Sequence, residues 1–186
     1  MASLQTPVCD FGRPAVGFAL PGVGGKTWAL EGCRGENGLL VMFICNHCPY
    51  VQAIRERLVR DTRELRDYGI KSAGIVSNDA AQYEEDSFEN MKSVARQYGF
   101  PFPLPSRRDQ QVAKAYGAVC TPDFLGYNAD LRLQYCGRLD ASSKEAAPPA
   151  DACRDLLEAI ARVARTGEGP PNQIPSVECS IESREE

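Results

Sequence analysis

The stretch Leu39-Leu40-Val41-Met42-Phe43-Ile44-Cys45-Asn46-His47-Cys48-Pro49-Tyr50 decides the fold. Its first six residues are apolar without interruption, the pattern of a strand buried on both faces. Downstream, Val51, Ile54, Leu58 and Leu65 recur at helical spacing and make one apolar stripe. Arg55, Glu56, Arg60, Arg63 and Glu64 fill the opposite side, the pattern of a solvated face. A CxxC pair therefore falls where a central strand hands over to a helix. Pro49 suits the first helical turn, where its missing N–H costs little. A helix N-terminus favours anions, so the expectation is a thiolate of lowered pKa. Cys45 is the expected attacking thiol and Cys48 the resolving thiol, reaching back across one helical turn. His47, between them, is expected to favour the thiolate further.

Reading outward, Phe18–Pro21 and Lys26–Leu30 flank Gly22, Gly24 and Gly25 and predict a short hairpin. Ile70–Val76 predicts a second strand, ending at Ser77-Asn78-Asp79. Phe88, Met91, Val94, Ala95 and Tyr98 predict a helix stopped by Gly99, with Asp86 and Glu89 expected to cap its start. Residues 109–116 predict a short helix. Val119–Tyr127 and Leu131–Leu139, around Asn128-Ala129-Asp130, predict an antiparallel hairpin. In its second strand Leu131, Leu133 and Tyr135 alternate with Arg132, Gln134 and Cys136, the period of a half-buried strand. A last helix is predicted near 151–165, with Cys153, Leu156, Leu157, Ile160 and Val163 on its apolar face and Gly167 as its stop. A strand–helix–strand unit demands a parallel pair, and the closing hairpin adds antiparallel strands. The fold class is α/β, three-layered with a central mixed sheet. The organisation is an N-terminal segment (1–15), one domain (16–167) and a proline-bearing C-terminal tail (168–186).

The composition narrows the function. At 186 residues the chain suits one domain. It carries 25 acidic against 21 basic residues, net −4, with no basic stripe, which excludes nucleic acid as a partner. No stretch approaches the roughly 18 apolar residues that span a bilayer, so no membrane partner is expected. The N-terminal stretch has neither a basic nor an apolar leader region, so the expected location is cytoplasmic, with cysteines mostly as thiols. There are eight Cys and one His. A structural zinc site commonly takes ligands from a second CxxC or a His pair, and neither exists. Pro49 replaces the His of a haem-attachment CxxCH, and Leu20 breaks any phosphate loop ending at Lys26-Thr27. No metal and no cofactor are expected. Cys120-Thr121-Pro122-Asp123 is the second informative cluster: a proline opening a buried strand marks a special geometry, and X–Pro is the one bond where cis is cheap. Cys153 is expected in the core, Cys9 and Cys33 as free thiols, and Cys136 has no assigned role.

Phe18-Ala-Leu-Pro, Gly25-Lys-Thr, the CNHCPY string from Cys45, Ser77-Asn-Asp and the CTPDF string from Cys120 together resemble the thioredoxin-like superfamily. More narrowly, the chain resembles its peroxiredoxin-like, AhpC/TSA-type branch of thiol–disulfide isomerases, from about Phe18 through Cys179. The resemblance implies a thioredoxin-like fold with an N-terminal β-hairpin extension. It also implies that Thr121-Pro122 forms a cis-proline loop facing Cys45. Asn46, His47, Thr121 and Pro122 then support Cys45 and Cys48, and Cys120 and Cys179 are candidate additional redox thiols. The chain departs from the peroxiredoxin pattern of Pro and Thr or Ser at seven and three residues before the reactive Cys. Those positions hold Gly38 and Met42 for Cys45, and Val41 and Cys45 for Cys48. Arg138 is the candidate peroxidatic arginine, with a surface arginine as the plainer reading. Leu39 occupies the stretch where thioredoxins place a buried acid, which leaves proton transfer to His47 or water. The leading expectation is a thiol–disulfide oxidoreductase acting on a disulfide-bearing protein or small molecule, re-reduced by a thiol reductant. The alternative is an atypical peroxidase working through Cys45. A third reading is a non-enzymatic metal-binding module, since soft thiolates suit Cu(I); the copper carriers of this fold use a distant His that the chain lacks.

Overall fold

The computed structural model describes residues 9–76, 83–106, 111–142 and 153–176, together with the strands 3–5 and 177–180. The apolar run becomes β4 (Gly38–Phe43), every residue of which is buried. It pairs in parallel with β5 (Ile70–Ile75) and antiparallel with β7 (Asp123–Asn128). β7 pairs antiparallel with β8 (Leu133–Gly137), giving the sheet order β5-β4-β7-β8. Alternation along β4 sends its side chains to two cores. Leu40, Met42 and Ile44 join Val51, Ile54 and Leu58 of α2 (Pro49–Leu65) and Leu156 and Ile160 of α5 (Asp155–Thr166). Leu39, Val41 and Phe43 join Phe18 and Leu20 beside the hairpin β2 (Ala19–Pro21) and β3 (Thr27–Ala29). Leu30 and Cys33 of α1 (Leu30–Cys33) and Tyr116 of α4 (Gln111–Tyr116) complete that second core. Helices on one face and hairpin with short helices on the other make the three layers expected of this mixed sheet. α3 (Phe88–Tyr98) packs Met91 and Ala95 into the first core. Gly126 lets α5 sit close: a Cβ there would lie 2.1 Å from Ile160 Cδ1. No helix among the described residues is long and apolar enough to cross a membrane.

Several expectations are corrected. The strand expected over Val119–Tyr127 is split by a cis Thr121–Pro122 bond into β6 (Cys120–Thr121) and β7. β6 leaves the main sheet and pairs with β9 (Val177–Ser180), which also pairs with β1 (Ser3–Gln5). The even alternation of the hairpin fails because the β7–β8 register shifts at Gly126/Tyr127, where Tyr135 opposes Gly126 and Leu133 opposes Tyr127. The irregularity, around Gln134, turns Tyr135 to the first core and leaves Leu133 and Cys136 in the second. Cys136 is therefore a core residue, and it forms a disulfide with Cys9, Cα–Cα 6.3 Å, rather than leaving Cys9 free. The N-terminal segment reaches it along β8 through Gly12 N to Leu133 O (2.8 Å) and Leu133 N to Arg13 O (2.9 Å). Cys153 lies outside the core: α5 starts at Asp155, and Cys153 precedes it, exposed. Cys33 is a buried thiol whose burial pushes its pKa up to about 11. Ser77, Asn78, Asp79 and the expected helix start at 151–152 lie outside the described residues.

Candidate active site

Pro49 decides how the CxxC is presented. Its ring disfavours helical backbone in the residue before it, and Cys48 is extended (φ −69°, ψ 120°) as the N-cap of α2. Cys48 O accepts from Gln52 N at 3.0 Å, the first bond of the helix. Cys45, Asn46 and His47 thus form a loop ahead of the helix. This corrects the expectation that the two sulfurs are spaced across a helical turn.

Both sulfurs converge on Thr121. Cys45 Sγ lies 3.2 Å from Thr121 Oγ1, and Cys48 Sγ donates to Thr121 O at 3.2 Å. The cis-proline loop therefore faces the CxxC, as the resemblance implied. Cys45 is 1% and Cys48 0% exposed. The Cys45 thiol is pushed well above its ordinary range by its hydrogen bond with Cys48, by burial and by the charge of Asp86. The Thr121 hydroxyl opposes this and is outweighed. The expectation of a lowered thiol pKa is therefore overturned. The helix starts too late to favour a Cys45 thiolate through its first turn, and an unforeseen carboxylate stands near.

That carboxylate is Asp86, in a 3₁₀ turn (Glu84–Asp86) before α3. Asp86 Oδ2 lies 2.6 Å from His47 Nδ1, and Asp86 Oδ1 accepts from Asn46 N at 2.5 Å. The ring of His47 stacks on Tyr83, centroids 3.8 Å apart and planes 6° off parallel. Burial works against a charged His47, but the hydrogen bond and charge of Asp86 prevail and raise its pKa above the ordinary 6.5. Asn46 ties the loop down: Nδ2 donates to Glu85 O at 2.8 Å, and its carbonyl accepts from Gln52 Nε2 (2.8 Å) and Arg55 Nη2 (2.9 Å).

Sequence reading assigned Asp86 to capping α3. Ser87 is the cap instead, accepting from Asn90 N, which releases Asp86 to the site. A separation of 39 residues hid the pairing with His47; the only trace was an acidic run, Glu84-Glu85-Asp86, beside Tyr83. Arg138 is ion-paired with Asp155 at 2.6 Å, with its side chain 27% exposed. Cys120 is buried beside Thr121, and Cys179 of β9 stands in register with Thr121. The donor atoms of Cys45, His47 and Asp86 lie within 4.8 Å of one another, and they are the described residues placed to hold a metal ion. In the state described, Nδ1 and Oδ2 are engaged with each other. A cavity of about 570 Å³ between α5 and the tail, lined by Tyr68, Arg162, Arg165 and Gln173, takes no residue from the dithiol.

A dithiol loop at the end of a central strand, facing a cis-proline loop across a mixed sheet, defines a thioredoxin-like redox protein. The profile of the AhpC/TSA family matches residues 11–138, and the chain belongs to that family. An uncharacterized conserved protein from Geobacillus kaustophilus is 39% identical with a TM-score of 0.91, over 99% of this chain and 97% of that one. A hypothetical protein from Sinorhizobium meliloti 1021 is 35% identical with a TM-score of 0.87, over 97% of this chain and 98% of that one. The thioredoxin domain of a thiol-disulfide oxidoreductase from Bacteroides vulgatus shares the fold at 14% identity and a TM-score of 0.58, over 69% of this chain and 89% of that one. Among curated proteins none matches the chain.

Proposed function

We propose that the protein is a thiol–disulfide oxidoreductase working through Cys45 and Cys48. The observation that carries this is the convergence of both sulfurs on Thr121, each at 3.2 Å. Cys45, deprotonated, attacks a substrate disulfide; a Cys45–substrate bond forms and one substrate sulfur leaves as a thiolate. Cys48, deprotonated in turn, attacks Cys45; the Cys45–Cys48 bond closes and the second substrate sulfur leaves. The two protons from the dithiol end on the two released thiols, and a thiol reductant restores the pair. His47, held toward its charged form by Asp86, is the group placed to deliver a proton to a departing thiolate. This fills the role for which the sequence offered no buried acid.

Reaction with 5,5′-dithiobis(2-nitrobenzoate) tests the reading, in a Cys153→Ser/Cys179→Ser background because Cys153 is exposed and Cys179 stands in register with Thr121. The parent should release two equivalents of thionitrobenzoate from the site and close Cys45–Cys48. Adding Cys48→Ser should leave one equivalent bound, mapped by mass to Cys45. An unreactive Cys45, or full release without Cys48, would sink the proposal.

A second reading, a peroxidase, is favoured by one observation. Thr121 Oγ1 brings to Cys45 the hydroxyl that Met42 fails to supply. Peroxide would oxidise Cys45 to the sulfenic acid with loss of water, and Cys48 would condense with it. Stopped-flow oxidation no faster than that of free cysteine excludes it.

A further inference from the structure

Arg138 N donates to Ile174 O at 3.0 Å, and Ser176 Oγ donates to Gly137 O at 3.0 Å, which lays the C-terminal tail along the end of β8. From there the tail runs into β9, which pairs antiparallel with β6, Thr121 opposite Cys179 and Cys120 opposite Ser180. On its other side β1 pairs with it, Ser3 opposite Cys179. Cys179 thus lies on the central strand of a three-stranded ladder, in register with Thr121, which touches both sulfurs of the dithiol.

Access makes this register meaningful. Cys45 and Cys48 are buried, so a protein disulfide reaches them less readily than a small one. An extended peptide would most simply approach by adding a strand to β6. The protein's own tail already fills that place, and it carries a cysteine at the position opposite Thr121.

We propose that Cys179 is a third thiol of the redox site, an internal partner through which the Cys45–Cys48 disulfide exchanges with external thiols. The proposal rests on the thiol–disulfide reading above. In the step, the Cys179 thiolate attacks Cys45 of the closed pair. A Cys45–Cys179 bond forms, the Cys45–Cys48 bond breaks, and Cys48 leaves as a thiolate that takes up the proton Cys179 gave up. One disulfide replaces another, with no net oxidation. An external thiol then attacks Cys179, the Cys45–Cys179 bond breaks and Cys45 leaves as a thiolate; a second external thiol attacks the resulting mixed disulfide, Cys179 leaves, and the two external thiols end as one disulfide. The external partner class is therefore a thiol reductant that meets the tail strand rather than the buried pair.

The full chain, oxidised with diamide and mapped by mass spectrometry, tests this. Cys48→Ser should give an intramolecular Cys45–Cys179 cross-link in the monomer, with loss of two hydrogens. Cys48→Ser/Cys179→Ser should lose that cross-link, and Cys48→Ser/Cys120→Ser should keep it. Wild type equilibrated in glutathione buffers should show both Cys45–Cys48 and Cys45–Cys179 peptides. If Cys45–Cys48 closes normally but no Cys45–Cys179 peptide forms in wild type or in Cys48→Ser, the third-thiol proposal is overturned and the dithiol reading stands. If Cys45–Cys48 never closes, both are overturned.

Discussion

Replacing Asp86 with Asn separates the charge of this residue from its shape. The carboxylate lies 2.6 Å from His47 Nδ1 and accepts from Asn46 N through its other oxygen. Asparagine can keep the Asn46 bond, but it turns an amide N–H toward His47. Nδ1 must then accept, which places the ring proton on Nε2 and favours the neutral form. Unit charges about 4 Å apart at an effective dielectric of about 20 attract by about 4 kcal/mol, which is about 3 pK units. That is the ceiling for the lost attraction. Burial remains and acts against the charge, with Cys48 and Glu85 opposing it, so the total shift falls. His47 should titrate above 6.5 in the wild type and clearly lower in Asp86→Asn.

The measurement needs no assignment, because the chain has a single histidine. One imidazole resonance followed through pH by NMR reads the midpoint directly. Equal midpoints in the two proteins, or a wild-type midpoint below 6.5, would refute the pairing and with it the proton-delivery role of His47. Stability follows with a fixed sign. A folded-state pKa raised above the unfolded value adds stability that is fully present below the unfolded value and is lost as pH rises through the folded value. The gap in urea stability between wild type and Asp86→Asn should therefore be widest on the acid side of 6.5 and shrink above the wild-type midpoint.

Other outcomes follow from neighbouring contacts. Thr121→Val removes the hydroxyl 3.2 Å from Cys45 Sγ, which opposes the rise in thiol pKa. Losing one hydrogen bond of about 1 kcal/mol should slow alkylation of Cys45 by iodoacetamide about fivefold, and an unchanged rate would count against the contact. Asp140→Ala removes the buried carboxylate that accepts from Arg57 Nε at 2.8 Å, with the Arg57 side chain 8% exposed. Breaking a buried pair in this way costs about 3–5 kcal/mol, readable in urea unfolding. Cys9→Ser opens a disulfide linking residues 127 apart in sequence. It should lower unfolding free energy by about 2–5 kcal/mol under non-reducing conditions; no change would show that Cys9 and Cys136 are not joined. The Cys45–Cys48 couple should titrate nearer the about −270 mV of thioredoxin than the about −120 mV of strongly oxidising dithiols.

The parts of the fold legible in the sequence were those carried by local periodicity. The apolar run of β4, the stripe of α2 and the Gly99 stop of α3 each followed from a few adjacent residues. What escaped depended on contacts between distant segments. The register shift near Gln134 depends on how β8 meets Gly126 and Tyr127, and it alone decides that Cys136 faces inward. The disulfide with Cys9 depends in turn on the N-terminal segment lying along β8. At the candidate site, Cys45, Cys48, Asn46, His47 and the Thr121-Pro122 loop were named from motif and resemblance together, and the fold brings them together. Asp86 was seen but given the wrong task, because the local rule for a helix start applied equally to Ser87 one residue later.

The release of Asp86 to the site also bears on the proposed dithiol chemistry. Placing the CxxC at a helix N-terminus suggests a stabilised thiolate, and a dithiol whose reduced form is stabilised in this way is an oxidant. Here Pro49 delays the helix until after Cys48, so the unpaired N–H groups of its first turn lie beyond Cys45. Asp86 adds a negative charge, and burial removes the water that would solvate a thiolate. The hydrogen bond with Cys48, the largest influence, acts with burial and Asp86 against the anion at Cys45, and the Thr121 hydroxyl opposes them. A reduced form denied that stabilisation gives up its electrons more readily. Under the proposed thiol–disulfide reading these influences favour a reducing couple, and the potential of the Cys45–Cys48 pair tests it.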